Sequence, residues 1–296
     1  MTTETTAQTH QEPESSGRPA EYLVSRRGKP GDTVVPIGGF EVGGADLALI
    51  AGPCSVESEE QIHRIACEVK QAGANILRGG AFKPRTSPYD FQGLGETGLE
   101  YLAAAGQKAG LEVVTEVMDC RDVELVARYA ACLQIGSRNM QNYPLLREVG
   151  QCRKAVLLKR GLSATYKELL MAAEYVLSAG NDQVILCERG IRALSTELRF
   201  TLDLNAVPYL KERTHLPVIV DPSHGTGCAS LVAPMSKAAI AAGADGIMVE
   251  THYSPGDSIS DAAQTISTGE FADLVSQLAA LAAVVGRRIP VFSTVG

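Results

Sequence analysis

The sequence predicts a (β/α)8 TIM barrel preceded by a short N-terminal β-hairpin, and three observations support this. Short apolar, β-branched runs alternate with longer stretches of helical period along most of the chain. Eight such units fill about 240 residues, which is typical of a (β/α)8 barrel. The first strand runs into Gly52-Pro53-Cys54-Ser55 and not into the G-x-G-x-x-G turn of a nucleotide-binding open sheet. The doubly wound open sheet is therefore the weaker alternative.

The regions follow in chain order. Residues 1–20 are rich in Thr, Gln, Glu and Ser, a composition that predicts a disordered tail. Residues 21–45 contain two β-rich pieces, 33–35 and 40–42, separated by Gly and Pro, which predicts a hairpin leading into the main domain. Residues 46–290 form the predicted barrel.

Within the barrel, strands and helices alternate. The predicted strands are residues 47–51, 74–77, 111–115, 133–135, 155–158, 183–187, 216–220 and 246–249. The clearest helical stretches are residues 58–71, 167–178, 230–242 and 270–285. Residue types that cap helix N-termini precede or open three of these stretches, at Ser58, Thr165 and Ser230. Glycine stands just past three predicted helix ends, at Gly73, Gly110 and Gly243.

Composition and charge exclude several classes of protein. Of the 296 residues, 45% are apolar and 21% are charged, as in an ordinary soluble domain. No apolar run approaches the roughly 20 residues of a membrane span, and the N-terminus has no secretory signal. The net charge of −7 argues against a general nucleic-acid binder. Seven cysteines without a C-x-x-C pair argue against a disulfide framework or zinc ribbon and favour a cytoplasmic location.

Barrels of this kind carry their chemistry at the C-terminal ends of the strands, and polar or ionisable residues follow all eight predicted strands. Seven of these residues are cations: Arg78, Lys83, Arg85, Arg138, Lys159, Arg160 and Arg189. Arg binds phosphate and carboxylate through two parallel hydrogen bonds, and Lys supplies a point charge. The cations therefore predict an anion site, and two phosphates plus one carboxylate would account for their number.

A second group combines one thiol, one imidazole and two carboxylates, from Cys54, His224, Glu250 and Asp261. These residues follow predicted strands one, seven and eight, which are neighbours in a closed barrel. A mixed sulfur, nitrogen and oxygen set suits a borderline divalent ion such as Mn²⁺, Fe²⁺, Co²⁺ or Zn²⁺. The sequence therefore predicts a divalent-metal site, and we expect the other six cysteines to be packing residues.

Several motifs together make the sequence similar to type Iβ 3-deoxy-D-arabino-heptulosonate 7-phosphate (DAHP) synthases. They are AGPCS at 51–55, LRGGAFKPRTS at 77–87, QIGSRN at 134–139, LLKRG at 157–161, CERG at 187–190 and DPSH at 221–224. The resemblance implies a transferase that condenses phosphoenolpyruvate with erythrose 4-phosphate, releases phosphate and opens the shikimate pathway. It implies a divalent metal, with Mn²⁺ expected first and Co²⁺, Fe²⁺, Zn²⁺ or Cd²⁺ as alternatives.

The resemblance also implies roles for individual residues. The metal ligands are Cys54, His224, Glu250 and Asp261. The phosphate of phosphoenolpyruvate is held by Arg138, Arg189 and the backbone of Ser137, and its carboxylate and reacting end are near Arg78, Lys83 and Lys159. The phosphate of erythrose 4-phosphate binds the loop Arg85, Thr86 and Ser87, and Glu116 and Asp221 line the same cavity. The expected catalytic residues are Lys83, Glu116, Lys159 and His224.

Three alternatives stay open on the sequence. The first is 3-deoxy-manno-octulosonate 8-phosphate synthase, which uses arabinose 5-phosphate; the Lys83-Pro84-Arg85-Thr86-Ser87 loop favours the four-carbon aldehyde. The second is a Schiff-base aldolase with Lys159 as the nucleophile. The third is a non-catalytic barrel that binds sugar phosphates.

The resemblance further suggests a homo-oligomer, either a dimer or a tetramer, and the apolar segment 34–37 could serve its interface. We expect no regulatory domain, because neither a ferredoxin-like module nor a fused chorismate mutase fits beside the barrel. Feedback inhibition by Tyr or Phe is therefore not expected of the chain alone, although a separate chorismate mutase could be a partner.

Overall fold

The computed structural model describes residues 19–194 and 197–289. Residues 1–18 of the predicted tail and residue 290 at the predicted barrel end lie outside the described residues. Two short antiparallel strands form the predicted hairpin, β1 (Val35–Ile37) and β2 (Phe40–Val42). None of the helices in the described ranges is both long and apolar enough to span a membrane.

Eight parallel strands form a closed barrel, as predicted. They are β3 (Ala48–Gly52), β4 (Ile76–Arg78), β5 (Glu112–Glu116), β6 (Cys132–Ile135), β7 (Ala155–Lys159), β8 (Val184–Glu188), β9 (Val218–Val220) and β10 (Gly246–His252). Each strand pairs with the next one along the chain, and β10 pairs with both β9 and β3, which closes the ring. A two-residue strand, β11 (Ile266–Ser267), adds to the end of β10.

Helices separate the barrel strands and pack on their outer face. They are α1 (Glu59–Gln71), α2 (Glu96–Ala109), α3 (Val123–Tyr129), α4 (Tyr143–Gln151), α5 (Tyr166–Ser178), α6 (Ala206–Arg213), α7 (Pro222–Thr226), α8 (Ala229–Ala241) and α9 (Thr268–Val284). The caps predicted at Ser58 and Thr165 are confirmed, and Thr165 forms a reciprocal capping box with Glu168. The cap predicted at Ser230 is wrong, because α8 already begins at Ala229 and its N-cap position makes no side-chain bond.

The period-two alternation of the strands divides the core into two layers. One face of each strand packs under the surrounding helices, as Leu49 and Val249 do. The other face fills the barrel interior, where Ile50, Met248 and Leu157 meet. Towards the C-terminal ends, the inward positions change from apolar to ionisable residues, and these side chains form the base of the site.

The N-terminal hairpin closes the opposite end of the barrel. Val35, Ile37 and Val42 are fully buried and belong to the same cluster as the interior strand residues. The hairpin turn at Gly38 lies against Glu112, the first residue of β5, which places the hairpin at the N-terminal strand ends. Half of the apolar segment 34–37 therefore packs inside this chain, which leaves only Val34 and Pro36 exposed for an interface.

Two glycines near strand ends allow close packing beside the site, one against a neighbouring backbone and one against an ionisable side chain. A Cβ atom at Gly52, whose φ is +150°, would lie 2.0 Å from the carbonyl oxygen of Arg78. A Cβ atom at Gly136 would lie 2.0 Å from Oε1 of Glu116. Both strand ends can thus pack directly against the residues that line the site.

Candidate active site

A polar cavity of about 240 Å³ opens at the C-terminal ends of the barrel strands. Eleven of the residues singled out in the sequence line it: Arg78, Lys83, Arg85, Thr86, Glu116, Ser137, Arg138, Lys159, Arg189, His224 and Asp261. Cys54, Asp221 and Glu250 are buried and in direct contact with lining residues. Fourteen residues from eight different strands or their loops thus converge on one end of the barrel, as expected for this fold.

The candidate metal ligands meet at one side of this cavity. Ligand atoms of Cys54, Glu250 and Asp261 all lie within 4.8 Å of one another. The Sγ atom of Cys54 donates to Oδ2 of Asp261 at 3.1 Å. The fourth predicted ligand, His224, is not within this mutual distance of all three, but its Nε2 atom lies 3.3 Å from Oε1 of Glu250. Asp261 has a φ of +53° and is the one non-glycine residue with positive φ in the described ranges, and such strain is common at functional sites.

The protonation of these groups is set by burial and by the neighbouring charges. Burial, together with the charge of Glu250, raises the pKa of the Cys54 thiol to about 12. Burial also opposes ionisation of Asp261, but the charge of His224 and the hydrogen bond from Cys54 outweigh it and lower that pKa to about 2. Burial lowers the pKa of His224, so the protonated ring that stabilises these carboxylates releases its proton more easily and becomes the neutral imidazole that metals bind. A thiol in this setting becomes a thiolate ligand when a dication displaces its proton.

A buried chain of contacts joins a cation to His224. Lys159 Nζ lies 2.5 Å from Oδ2 of Asp221, and the same oxygen lies 2.8 Å from Nδ1 of His224. Asp221 also caps α7 by accepting the backbone N–H of His224 at 2.9 Å. Burial opposes ionisation of Asp221, but the charges of His224 and Lys159 prevail and hold its pKa well below the usual range. Lys159 is thus engaged in an ion pair, which disfavours a role as the free amine of a Schiff-base aldolase.

Other cations in the cavity have no acidic partner. Within residues 19–194 and 197–289, no carboxylate oxygen lies within 4.0 Å of a guanidinium nitrogen of Arg85, Arg138 or Arg189. Burial lowers the pKa of Arg189, whose guanidinium lies 4.1 Å from the centre of the Phe200 ring. Unpaired guanidinium groups in a concave site are suited to bind anions.

Two residues from the sequence analysis lie elsewhere. Arg160 does not line the cavity, because it follows Lys159 by one position and therefore faces outwards. It pairs with Glu188 at 2.8 Å and with Asp203 at 3.1 Å. Ser87 does not line the cavity either, and its hydroxyl accepts the backbone N–H of Tyr89 at 3.2 Å within its own loop.

Several residues of the site, Asp90 and Leu162 among them, were not identified from the sequence, and four others make contacts that shape the site. Gln134 lies inwards on β6 and donates to Glu116 at 3.2 Å. Gln264 donates to Oε2 of Glu250 at 2.6 Å. The others, Arg199 and Phe200, line the cavity from the loop after β8. A polar residue on a buried strand is a signal that could have revealed Gln134, but the loop residues carry no such signal.

Comparison with known proteins agrees with this geometry. A profile of the DAHP synthetase I family matches residues 32–285. The phospho-2-dehydro-3-deoxyheptonate aldolase of Thermotoga maritima is 49% identical over 267 residues, covering 90% of this chain and 79% of that protein. A more distant relative, the 2-dehydro-3-deoxyphosphooctonate aldolase of Syntrophotalea carbinolica, is 30% identical over 261 residues, covering 82% of this chain and 93% of that protein.

Two solved structures are also similar to this chain over most of its length. The crystal structure of the Thermotoga maritima aldolase (DAHP synthase) matches with a TM-score of 0.88 and 48% identity, covering 91% of this chain and 79% of that one. A truncated form of the 3-deoxy-D-arabino-heptulosonate 7-phosphate synthase from the same organism matches with a TM-score of 0.85 and 46% identity, covering 90% and 98% of the two chains.

Proposed function

Because the chain belongs to the DAHP synthetase I family, we propose that it condenses phosphoenolpyruvate with erythrose 4-phosphate. Water is consumed, and the products are DAHP and inorganic phosphate. The chain is thus an enzyme of the transferase class, and this step is the entry to the shikimate pathway. The observation that carries the proposal is the convergence of unpaired cations and a sulfur, nitrogen and oxygen ligand cluster in one cavity.

The cations account for the binding of two anionic substrates side by side. We assign the phosphate of phosphoenolpyruvate to Arg138, Arg189 and the backbone N–H of Ser137, all of which line the cavity. The loop with Arg85, Thr86 and Ser87 is assigned to the phosphate of the aldehyde substrate. Fixed positive charge at both positions reduces the repulsion between the substrates and holds their reacting carbons near each other.

The carboxylate and the reacting end of phosphoenolpyruvate are assigned to Arg78, Lys83 and Lys159. These three side chains line the cavity and are at most 7% exposed. Arg78 also forms an ion pair with Glu250 at 2.6 Å, so the proposed anion site lies directly beside the ligand cluster. A substrate held there would lie next to the ligand cluster.

The ligand cluster fits a borderline dication, because it offers a thiol, an imidazole and two carboxylates within a few ångströms. We propose that Cys54, His224, Glu250 and Asp261 bind Mn²⁺, with Co²⁺, Fe²⁺, Zn²⁺ or Cd²⁺ as substitutes. When bound, such an ion supplies Lewis-acid polarisation of an aldehyde oxygen. Asp221 holds the His224 ring through Nδ1, which leaves Nε2 available as the ligand atom.

Proton handling is assigned to groups on the cavity wall. Lys83 Nζ lies 2.8 Å from the carbonyl oxygen of Cys54 and 3.0 Å from its Sγ atom, so this ammonium is held at the boundary between ligands and substrate. Glu116 accepts from Gln134 and faces the same cavity. We propose that Lys83 and Glu116 are the proton donors and acceptors of the reaction, and that Lys159 positions Asp221 and the substrate. The predicted catalytic role of His224 is then to hold the metal, because both of its ring nitrogens are engaged.

The test is a phosphate-release assay on the purified chain. Phosphoenolpyruvate is paired either with erythrose 4-phosphate or with arabinose 5-phosphate, after treatment with EDTA and after readdition of Mn²⁺. We expect release with the four-carbon aldehyde, loss after EDTA and recovery with Mn²⁺. Preference for arabinose 5-phosphate would indicate the 3-deoxy-manno-octulosonate 8-phosphate reaction instead. Binding without release would indicate a sugar-phosphate-binding barrel, and full activity in EDTA would refute the metal site.

We further propose a cytoplasmic homo-oligomer, a dimer or a tetramer. The thiol ligand Cys54 needs a reducing environment, and all seven cysteines are free thiols. Light scattering on the purified chain tests the oligomer, and a mass equal to one chain would refute it. A separate chorismate mutase is the proposed source of feedback control; strong inhibition of the isolated chain by Tyr or Phe would contradict this.

A further inference from the structure

The carboxylate of Glu250 is held from both of its oxygen atoms. Oε1 faces Arg78 Nη1 at 2.6 Å and His224 Nε2 at 3.3 Å. Oε2 accepts the amide Nε2–H of Gln264 at 2.6 Å, and this is its one hydrogen bond within the described ranges. Both Glu250 and Gln264 are buried, with exposed fractions of 0% and 2%. The orientation of a proposed metal ligand thus depends on a buried amide that is not itself a ligand.

The local backbone explains why Gln264 reaches this position. A short 3-10 helix (Ala262–Gln264) begins directly after Asp261, and the N–H of Gln264 donates to the carbonyl oxygen of Asp261 at 3.1 Å. Asp261 and Gln264 therefore stand on the same turn, and both side chains reach the ligand cluster. Asp261 offers a carboxylate to the cluster, and Gln264 contacts the other carboxylate in it.

The orientation of the Gln264 amide is fixed by its second partner. Arg199 Nη1 donates to Oε1 of Gln264 at 3.4 Å and to Oδ1 of Asp261 at 3.1 Å. Because the guanidinium only donates, it holds the oxygen of the amide, and the NH₂ end must then face Glu250. The amide thus matches an acceptor-only carboxylate on one side and a donor-only guanidinium on the other.

We propose that Gln264 is a positioning residue for the metal site. It fixes the Glu250 carboxylate so that Oε1 faces the space shared by the thiol, the imidazole and Asp261. Hydrogen bonds to ligating carboxylates typically change metal affinity by about 10–100-fold. This inference rests on the metal site proposed above, and it adds a residue that acts through Glu250 and is not among the residues that line the cavity.

The test is direct measurement of Mn²⁺ binding to metal-free protein by calorimetry, with thermal unfolding of the same samples. Gln264→Met keeps the length and loses the donor, and Gln264→Asn keeps the amide but retracts it by one methylene. We expect both variants to bind Mn²⁺ about 10–100-fold more weakly. Saturating Mn²⁺ should restore the rate of phosphate release and leave the KM for phosphoenolpyruvate unchanged. Gln277→Met is the matched control, because Gln277 is exposed on α9 and its side chain makes one hydrogen bond within the described ranges, from Lys237.

The outcomes separate this inference from the proposed function. If the unaltered chain binds no Mn²⁺, the metal site itself is refuted. If the unaltered chain binds Mn²⁺ and both Gln264 variants bind it equally well, the positioning role alone is overturned. If Gln264→Met unfolds, the result for Gln264→Asn decides. A raised KM that persists at saturating Mn²⁺ would assign Gln264 to the substrate site and would also overturn the inference.

Discussion

Replacement of Asp221 by asparagine should reveal how much the site depends on one buried carboxylate. The side chain is fully buried and its Oδ2 atom accepts from both Lys159 Nζ and His224 Nδ1. Its Oδ1 atom accepts the backbone N–H of His224. In Asp221→Asn, Oδ1 can keep the backbone bond, but an NH₂ group then faces both Lys159 and His224. The contact with Lys159 becomes a contact between two donors, and the contact with His224 stays attractive only if the ring moves its proton from Nδ1 to Nε2.

The size of the effect follows from these two contacts. Removing one partner of a buried ion pair costs about 3–5 kcal/mol. For a domain of this size, that is a fall in Tm of about 6 °C or more. The His224 ring loses the acceptor at Nδ1, so the tautomer with the proton on Nε2 is favoured and the proposed ligand atom is blocked. Loss of such a partner typically weakens metal binding by about 10–100-fold.

The assay combines thermal unfolding of metal-free protein with Mn²⁺ titration. Asp119→Asn is the matched control, because Asp119 also caps a helical turn and pairs with Arg121, but its side chain is 39% exposed. We expect the control to leave Tm and Mn²⁺ affinity close to those of the unaltered chain, because exposed ion pairs contribute little to stability. If Asp221→Asn resembled this control in both Tm and Mn²⁺ affinity, the reasoning from the buried chain of contacts would be refuted.

Three further predictions concern other parts of the molecule. Cys54→Ala should lose Mn²⁺ affinity in calorimetry, whereas Cys67→Ala, at an exposed position on α1, should not; equal loss would remove Cys54 from the ligand set. Ile37→Ala removes three buried carbon groups and should lower the free energy of unfolding by about 2–4 kcal/mol in urea titrations without changing kcat. The control Val34→Ala, at a position that is 41% exposed, should change the free energy of unfolding by about 0.5 kcal/mol or less. Equal effects of the two substitutions would mean that the hairpin does not close the barrel. Burial lowers the pKa of His215 in the folded state below its ordinary value of 6.5, so the unfolded chain takes up the proton more readily and stability should fall as the pH drops through 6.5. Urea unfolding midpoints measured between pH 5.5 and 7.5 should show this fall. The same dependence of the midpoint on pH in His215→Gln would contradict the prediction.

The sequence predicted the barrel because its signals are local. An apolar run such as 155–158 needs no distant information, and the order of strands in a closed barrel follows from the order along the chain. The same logic placed Arg78 and Glu250 at one end, where the structure joins them at 2.6 Å. Boundaries were less exact: β10 continues to His252, three residues past the predicted end, because Thr251 and His252 pair with β11, the third strand that β10 contacts.

What the sequence could not predict depends on contacts between distant loops. Arg199 reaches Asp261 and Gln264 across more than 60 positions of the chain, with separations of 62 and 65, and no spacing rule connects them. Arg160 was assigned to the cation group because it follows a strand, but the period of two that places Lys159 inside places its neighbour outside. Its pairing with Glu188 then depends on the register between β7 and β8.

The hairpin at the N-terminal end of the barrel affects how substrates enter and products leave the cavity. Side chains fill the interior from β1 and β2 upwards, so in the described part of the chain we expect the cavity to open to solvent at the C-terminal strand ends and not through the barrel. Reactants and the released phosphate must use the same passage in opposite directions. A compound bound at this opening, against the loop of Arg85 and Thr86, would therefore block the release of phosphoenolpyruvate bound further inside. The block would be measured as a slower dissociation rate of labelled phosphoenolpyruvate.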